Sequence, residues 1–443
     1  IYMKNKPVRL GLMAVSSPLE VGAGQTSELL AQLKVTFEAA NYPGLEIVRS
    51  NGLVDDSFSA TETGRFFYNQ RVDAICAIAA SWFEDYLILD LLEECKVPVI
   101  AWARPGMETG SLCGVQQLGF ILKQIGHPYC FIFETVDSPA AVDQAWHYTQ
   151  AAAIHHRLRR AKIGWLGHRV EGMTDTTPNE LALKKVFGPR IVGIDIQVFL
   201  DSTKHIIADS LNGQWENLKN QVGQVVATHD AGIEALQFDS VFRTMVREKD
   251  LSAIAVGCYP HLMGKPCLSA SLLGEEGVPI ACEGDVNGAL AMLILTWLSN
   301  QAIHNTDLLD PIPQDNTIVF SHCGSGGFSL ADSPDQIILG PVRLMDRGVC
   351  ALFPAKPGIV TLINIVPTLK GYKMAALYGE AIRTEMVFPG NPLRVRFASN
   401  YQSILNWIGK EGLGHHWMAA YGDMRQPLEY LSEITGCEWI MNS

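Results

Sequence analysis

Three stretches stand in succession near the start of the chain: Val72–Ala79 (VDAICAIA), Phe83–Glu94 (FEDYLILDLLEE) and Val97–Ala101 (VPVIA). The outer two are apolar runs of strand length, and the middle one has helical spacing. A strand covered on both faces loses the apolar–polar alternation of a half-solvated strand. Continuous runs on either side of a helix therefore point to a parallel sheet flanked by helices. The same alternation extends outward, with strands at Val8–Val15, Leu45–Val48 and Tyr129–Phe133. Helices fall at Thr26–Ala40, Thr61–Tyr68, Gly110–Ile125 and Ser138–Ala161. It restarts with strands at Lys162–Leu166, Ile191–Ile196, Ser252–Val256 and Val278–Cys282. Its helices are Asn179–Val186, Gln214–Val226, Gly232–Lys249 and Val286–Ser299. The last third changes character. Asn316–His322, Gly358–Ile365, Lys373–Gly379 and Leu393–Phe397 are strand-like runs between Pro and Gly turns, followed by a helix at Gln402–Ile408, a strand at His416–Tyr421 and a helix at Asp423–Thr435. The expected division is an N-terminal α/β domain over 1–160, a second α/β domain over 161–310, and a β-rich domain with a closing helix over 311–443.

The chain has 443 residues, 48% of them hydrophobic and 18% charged, which excludes an intrinsically disordered chain. The net charge of −12 argues against a nucleic-acid protein, since phosphate neutralisation needs clustered Lys and Arg. The ten cysteines include no C-x-x-C pair, and several lie in apolar runs, so buried reduced thiols in a cytoplasmic protein are expected. No secretory signal is visible. The apolar stretch Val286–Leu298 is too short and too Gly-interrupted to span a bilayer, so no membrane partner is expected.

Walker A, HExxH and EF-hand patterns are absent. Gly324-Ser325-Gly326-Gly327 lacks the spacing of a dinucleotide loop, and the basic stretch His155–Arg160 reads as a solvated helix end. Three features at strand ends carry chemistry. In Ala281-Cys282-Glu283-Gly284-Asp285 an apolar strand runs into two acids and then into an apolar helix. Acids just past the carboxyl end of a parallel strand stand where α/β proteins bind ligands. Asp285 fits a helix N-cap, whereas Glu283 precedes the cap and is the stronger functional candidate. Asp307 follows that helix; alone it reads as an edge-strand charge. His322 ends an apolar strand, and His415-His416 follow a Gly-rich turn. Carboxylates joined by histidines suit Mn²⁺, Mg²⁺ or Fe²⁺ better than Zn²⁺.

Ala-Cys-Glu-Gly-Asp-x-x-Gly-Ala-Leu (281–290), the acid at 307, Ser-His-Cys-Gly (321–324) and Gly-x-Gly-His-His-Trp (412–417) resemble the L-fucose isomerase and L-arabinose isomerase superfamily. Gly110-Ser111-Leu112-Cys113-Gly114 with Gln116 and Gln117 resembles its shorter members. The resemblance implies two Rossmann-like α/β domains followed by a C-terminal β-barrel-like domain. It implies a metal-dependent aldose–ketose isomerase acting on a monosaccharide, with Mn²⁺ as cofactor. Glu283 and Asp307 would be the catalytic acids and metal ligands, and His416 a further ligand. His322 stands where the arabinose branch adds a histidine. Gln116, Gln117, His415 and Trp417 would contact the sugar, and a homotrimer or homohexamer is implied. Residues adjacent on a strand point to opposite faces, so His415 is expected to turn away from the metal.

The residue types suit that chemistry. Moving a carbonyl between C1 and C2 removes a proton α to a carbonyl, through an enediol. A divalent ion polarises the carbonyl, and two carboxylates shuttle the proton. A metal-dependent lyase, epimerase or oxidoisomerase on a sugar acid is the alternative, as is a non-catalytic sugar-binding protein. Sugar phosphates are not expected as preferred substrates, because no P-loop is present and the charge repels anions; a pocket with Lys265 or Arg104 would override this.

Overall fold

The computed structural model describes residues 6–442. The chain divides into two compact units, one formed by 6–157 with 426–436, the other by 158–425 with 437–442.

The first unit is built from β1 (Val8–Val15), α1 (Thr26–Ala40), β2 (Leu45–Val54), α2 (Ser57–Gln70), β3 (Ala74–Ala79), α3 (Tyr86–Glu94), β4 (Val99–Ala103), α4 (Ser111–Gln124), β5 (Tyr129–Phe133) and α5 (Pro139–Leu158). Its five strands are parallel in the order β2-β1-β3-β4-β5. Every residue of the central β3 is buried, as its unbroken apolar run requires.

The second unit opens with β6 (Lys162–Leu166), α6 (Glu180–Val186), β7 (Arg190–Ile194), α7 (Ile196–Lys204), α8 (Asn212–Lys219), β8 (Gln224–Val225), α9 (His229–Lys249), β9 (Ala253–Val256), α10 (Cys267–Glu275), β10 (Ile280–Ala281) and α11 (Val286–Ser299). A second parallel sheet runs β10-β9-β6-β7. The chain moves from β6 outward to β7, then crosses to β9 and β10, which places a topological switch point between β6 and β9. Ligands of open α/β sheets bind at such points, beyond the strands' carboxyl ends.

The strands β11 (His304–Ile312), β12 (Thr317–Ser321), β13 (Ile338–Val342), β14 (Arg347–Leu352), β15 (Gly358–Thr368), β16 (Gly371–Ile382) and β17 (Leu393–Arg396) follow. They lead to α12 (Tyr401–Glu411), β18 (His416–Tyr421), α13 (Arg425–Thr435) and β19 (Glu438–Asn442). Seven of the strands form a mixed sheet in the order β15-β18-β11-β12-β17-β16-β19, and β15 also pairs with β16 along its length. The architecture is therefore mixed α/β, with two parallel sheets, one large mixed sheet and a small three-stranded sheet β14-β13-β8. No described helix is long and apolar enough to cross a membrane.

Several elements differ from the sequence-based expectation. Residues 214–226 are not one helix: α8 ends at Lys219, and Gln224–Val225 joins β13 as a short parallel strand. The strands β11, β13 and β14 were not expected, since each breaks the apolar pattern with polar, Gly or Pro residues. Asp307 is not an edge charge. It lies in β11 between β12 and β18, opposite Ser321 on one side and His416 on the other.

Candidate functional site

The turn between β10 and α11 organises the site. Glu283 has φ of +60° and Gly284 φ of +70°, two successive left-handed residues. The left-handed region is uncommon for a residue with a side chain and costs on the order of 1 kcal/mol or more. The surroundings hold it in place. The Glu283 amide donates to Cys258 Sγ at 3.4 Å, its carbonyl accepts from Val170 N at 3.3 Å, and Gly284 N donates to Val256 O at 2.8 Å. Gly284 must be glycine, because a Cβ there would lie 2.4 Å from His168 O. Asp285 then caps α11, accepting from Gly288 N at 2.9 Å.

The large sheet supplies the other ligating groups. Antiparallel pairing sets Asp307 of β11 directly opposite His416 of β18, so both side chains project from one face. His322 follows the last residue of β12. His416 Nε2 lies 3.1 Å from Glu283 Oε2 and 3.4 Å from Asp307 Oδ1, while His322 Nε2 lies 3.8 Å from Asp307 Oδ2. On its other side the His416 ring bonds Asp285 Oδ2 at 2.8 Å through Nδ1. A carboxylate on the far nitrogen fixes ring orientation and leaves Nε2 directed at Glu283 and Asp307. Both His416 and His322 are buried, and Asp307 is the most open of the four, 31% exposed.

His415 corrects the expectation drawn from strand alternation. Its ring centroid lies 4.1 Å from that of His416, and its Nε2 is 3.9 Å from Glu283 Oε2. Alternation does not govern it, because β18 begins only at His416. Instead Asp175 positions it, meeting His415 Nδ1 at 2.6 Å. Trp417 does obey alternation. It points opposite to His416 and is fully buried in the core cluster with Phe320 and Leu362, so it cannot touch a sugar from there. Gln116 and Gln117 lie on α4 of the first unit, Gln116 exposed and Gln117 accepting from Trp82 Nε1 at 3.3 Å.

Charge at the site is unbalanced. Burial pushes the Glu283 carboxyl up, but the nearby His415 and the hydrogen-bonded His416 outweigh it and hold the group far below the usual range. The Asp175 carboxyl is lowered to about 2, chiefly by its bond to His415. His415 is raised to about 9 by Asp175 and Glu283. Burial lowers His416, yet Asp285 and Glu283 carry it well above the ordinary value. The carboxylates thus call for positive charge between them, which a proton or a cation can supply.

The donor set fits a divalent cation. Glu283, His322 and His416 each offer a ligand atom within 4.8 Å of the others, as do Asp307, His415 and His416. Asp307 Oδ1, His322 Nδ1 and His415 Nε2 are buried with no hydrogen-bond partner among the described residues. Asp307 Oδ1 and His416 Nε2 lie close without the alignment of a hydrogen bond. Carboxylate and imidazole donors together match Mn²⁺ or Fe²⁺.

Two features of the site carry no sequence signal. Asp175 sits in a single 3-10 turn, Thr174–Thr176, between β6 and α6, and Cys258 looks like any other buried cysteine.

No family model matches the chain. It is similar to the sulfoquinovose isomerase of Priestia megaterium, 26% identical over 83% of this chain and 85% of that protein. It is similar to those of Alkalicoccus urumqiensis (26%, covering 82% and 84%) and Clostridium sp. (23%, covering 79% and 79%). Among solved structures, a periplasmic solute-binding protein from Actinobacillus succinogenes with bound D-allose aligns at a TM-score of 0.18 and 10% identity, covering 68% of this chain and 84% of that one; at that score it bears on neither fold nor function. The expectation of an enzyme, a sugar isomerase, is borne out by these relatives.

Proposed function

We propose that the chain is a metal-dependent aldose–ketose isomerase, with a sulfonated hexose of the sulfoquinovose type as its substrate. The observation that carries the metal-dependent reading is the convergence of Glu283, Asp307, His322 and His416 from four separate segments, with Asp307 Oδ1 and His322 Nδ1 buried and unpartnered among the described residues. The likeness to the named isomerases supports the reaction and the substrate class.

Glu283, Asp307 and His416 would hold the ion, Mn²⁺ in this reading, with His322 beside them. When bound, the ion supplies Lewis-acid polarisation of the sugar carbonyl. The rest of the chemistry falls to side chains of the chain. Glu283 is the base that takes the proton α to the carbonyl, at C2. Asp307, the more open of the two acids and protonated in this step, would return a proton at C1, while over the two steps the O2 hydroxyl proton passes to O1. Asp285, accepting from His416 Nδ1, would leave Nε2 as the nitrogen that ligates once the ion replaces the proton. The intermediate between the two transfers is the neutral enediol, formed when the carbonyl oxygen is protonated as the α-proton leaves. Assembly into a homotrimer or homohexamer belongs to the same reading and is read by light scattering.

The test is conversion of aldose to ketose with chelator-treated protein, before and after Mn²⁺ is restored. Activity is expected only with metal, and solvent deuterium should enter the product. Glu283→Gln should lose about 100-fold or more in kcat at saturating Mn²⁺, the loss expected for a missing general base. Full activity in chelator, or near-normal turnover by Glu283→Gln, overturns the reading.

A further inference from the structure

The segment that joins β6 to α6 touches the site at two points. Near its start, Val170 N donates to Glu283 O; further on, Asp175 holds His415. Its beginning is clamped: a Cβ on Gly257 would meet His168 O at 2.3 Å, and one on Gly284 would lie 2.8 Å from Arg169 N. Arg169 thus stands at the carboxyl end of β6, at the switch point of the second parallel sheet, with its backbone packed on the turn that presents Glu283.

The cationic side chains near this switch point are mostly engaged elsewhere. Lys265 is paired with Glu234 at 2.7 Å. Arg347 donates to the carbonyls of Met263, Pro260 and His261. The half-buried Arg169 makes a single hydrogen bond, from Nη1 to the carbonyl of its neighbour Val170 at 3.0 Å. Among the described residues it has no carboxylate partner, and the remaining donors of its guanidinium fork are unused.

Four carboxylates, Glu283, Asp285, Asp307 and Asp175, cluster within one site on a chain of net charge −12, and His415 and His416 offset them only in part. An anionic sugar is repelled by such a field unless a fixed cation meets its charged end. A sulfonate stays ionised at every accessible pH, and so does a guanidinium, whose planar fork matches paired oxygens.

We propose that Arg169 recognises the anionic terminus of the sugar and so determines specificity for an acidic over a neutral substrate. This rests on the reading of the chain as an isomerase of a sulfonated hexose, and it names the residue that selects such a substrate.

The experiment compares kcat/KM for sulfoquinovose and for quinovose, the same sugar without the sulfonate, in wild type, Arg169→Gln and Arg169→Lys. Thermal melts confirm that each variant folds. Arg169→Gln is expected to lose about 10- to 100-fold on sulfoquinovose, as for a charge-assisted hydrogen bond, and to leave quinovose unchanged. Arg169→Lys should recover part of the loss, since charge returns without the fork. Equal losses on both sugars, or no loss on either, overturn the proposal. Calorimetric binding of a sulfonated alditol, which has no carbonyl to isomerise, separates this proposal from the reaction itself. Binding that depends on Arg169 in a protein that isomerises no aldose sinks the isomerase reading and keeps the anion site. Turnover of neutral aldoses with alditol binding absent, or indifferent to Arg169, does the reverse.

Discussion

Asp285 shows how one side chain can serve two neighbours. One oxygen caps α11 through Gly288 N and the other holds His416 Nδ1. Asp285→Asn retains an oxygen for the cap but removes the charge behind the imidazole. Metal affinity is expected to fall about 10- to 100-fold with little change in melting temperature, checked by Mn²⁺ titration and a thermal melt. His304 is a different kind of residue. It is buried at the start of β11 with its ring against Tyr421, and neither nitrogen has a partner among the described residues. Burial lowers its pKa from 6.5 to about 3. The unfolded chain therefore binds a proton between those values that the folded chain refuses. The stability this represents is whole above pH 6.5 and is lost progressively as the pH falls toward 3. His304→Phe should flatten that part of the acid limb relative to wild type, as measured by denaturant midpoints from pH 7 to pH 4; superimposable profiles would show that His304 does not set the acid sensitivity.

At the scale of elements, the functional unit is the β10 turn with the first turn of α11, laid against β11 and β18. Gly288 makes that close approach possible. A Cβ there would lie 2.6 Å from Asp285 Oδ2 and 2.6 Å from Met418 Cε. Gly288→Ala should cost about 1–3 kcal/mol of stability through overpacking and weaken Mn²⁺ binding by displacing Asp285. A melt unchanged from wild type, with metal affinity intact, would show that helix and strand can separate at no cost. This unit was partly legible in the sequence. An acid directly after a buried strand is conspicuous, so Glu283 stood out, and Asp285 was recognisable as a cap. Asp307 was not placed from its own surroundings, because β11 opens with polar residues and hides a central strand. His415 was misjudged because alternation applies only once a strand has begun. Arg169 and Asp175 lie in a segment with no period, where spacing carries no information about what the side chains meet.

At the scale of the molecule, the parallel sheets were legible because burial on both faces leaves unbroken apolar runs, as in β3 and β4. What sequence could not show is that the chain returns near its end to the unit it began with, since 426–436 belongs with 6–157. The returning helix α13 buries Leu428, Leu431 and Ile434, and Tyr430 meets Tyr148 edge-on at 5.3 Å. The strand after it, β19, instead pairs parallel with β16 in the other unit, Lys373 opposite Glu438 through Leu377 opposite Asn442. The last nineteen residues of the sequence thus contribute to each unit separately, and two truncations resolve them. Ending the chain at Gly436 removes β19 alone and strips one strand from the large sheet. Ending it at Met424 also removes α13. Each buried Leu or Ile contributes about 1.5–3 kcal/mol, so the loss of three approaches the whole stability of a domain, about 5–15 kcal/mol. Hydrogen exchange is the appropriate probe, because it reports opening region by region. The chain ending at 436 should keep slow exchange in β3 and β4 and lose it around β16. The chain ending at 424 should lose protection in both. Equal protection of β3 and β4 in the two truncations would mean that α13 is peripheral to the first unit's core, and that its buried leucines stabilise only the helix that carries them.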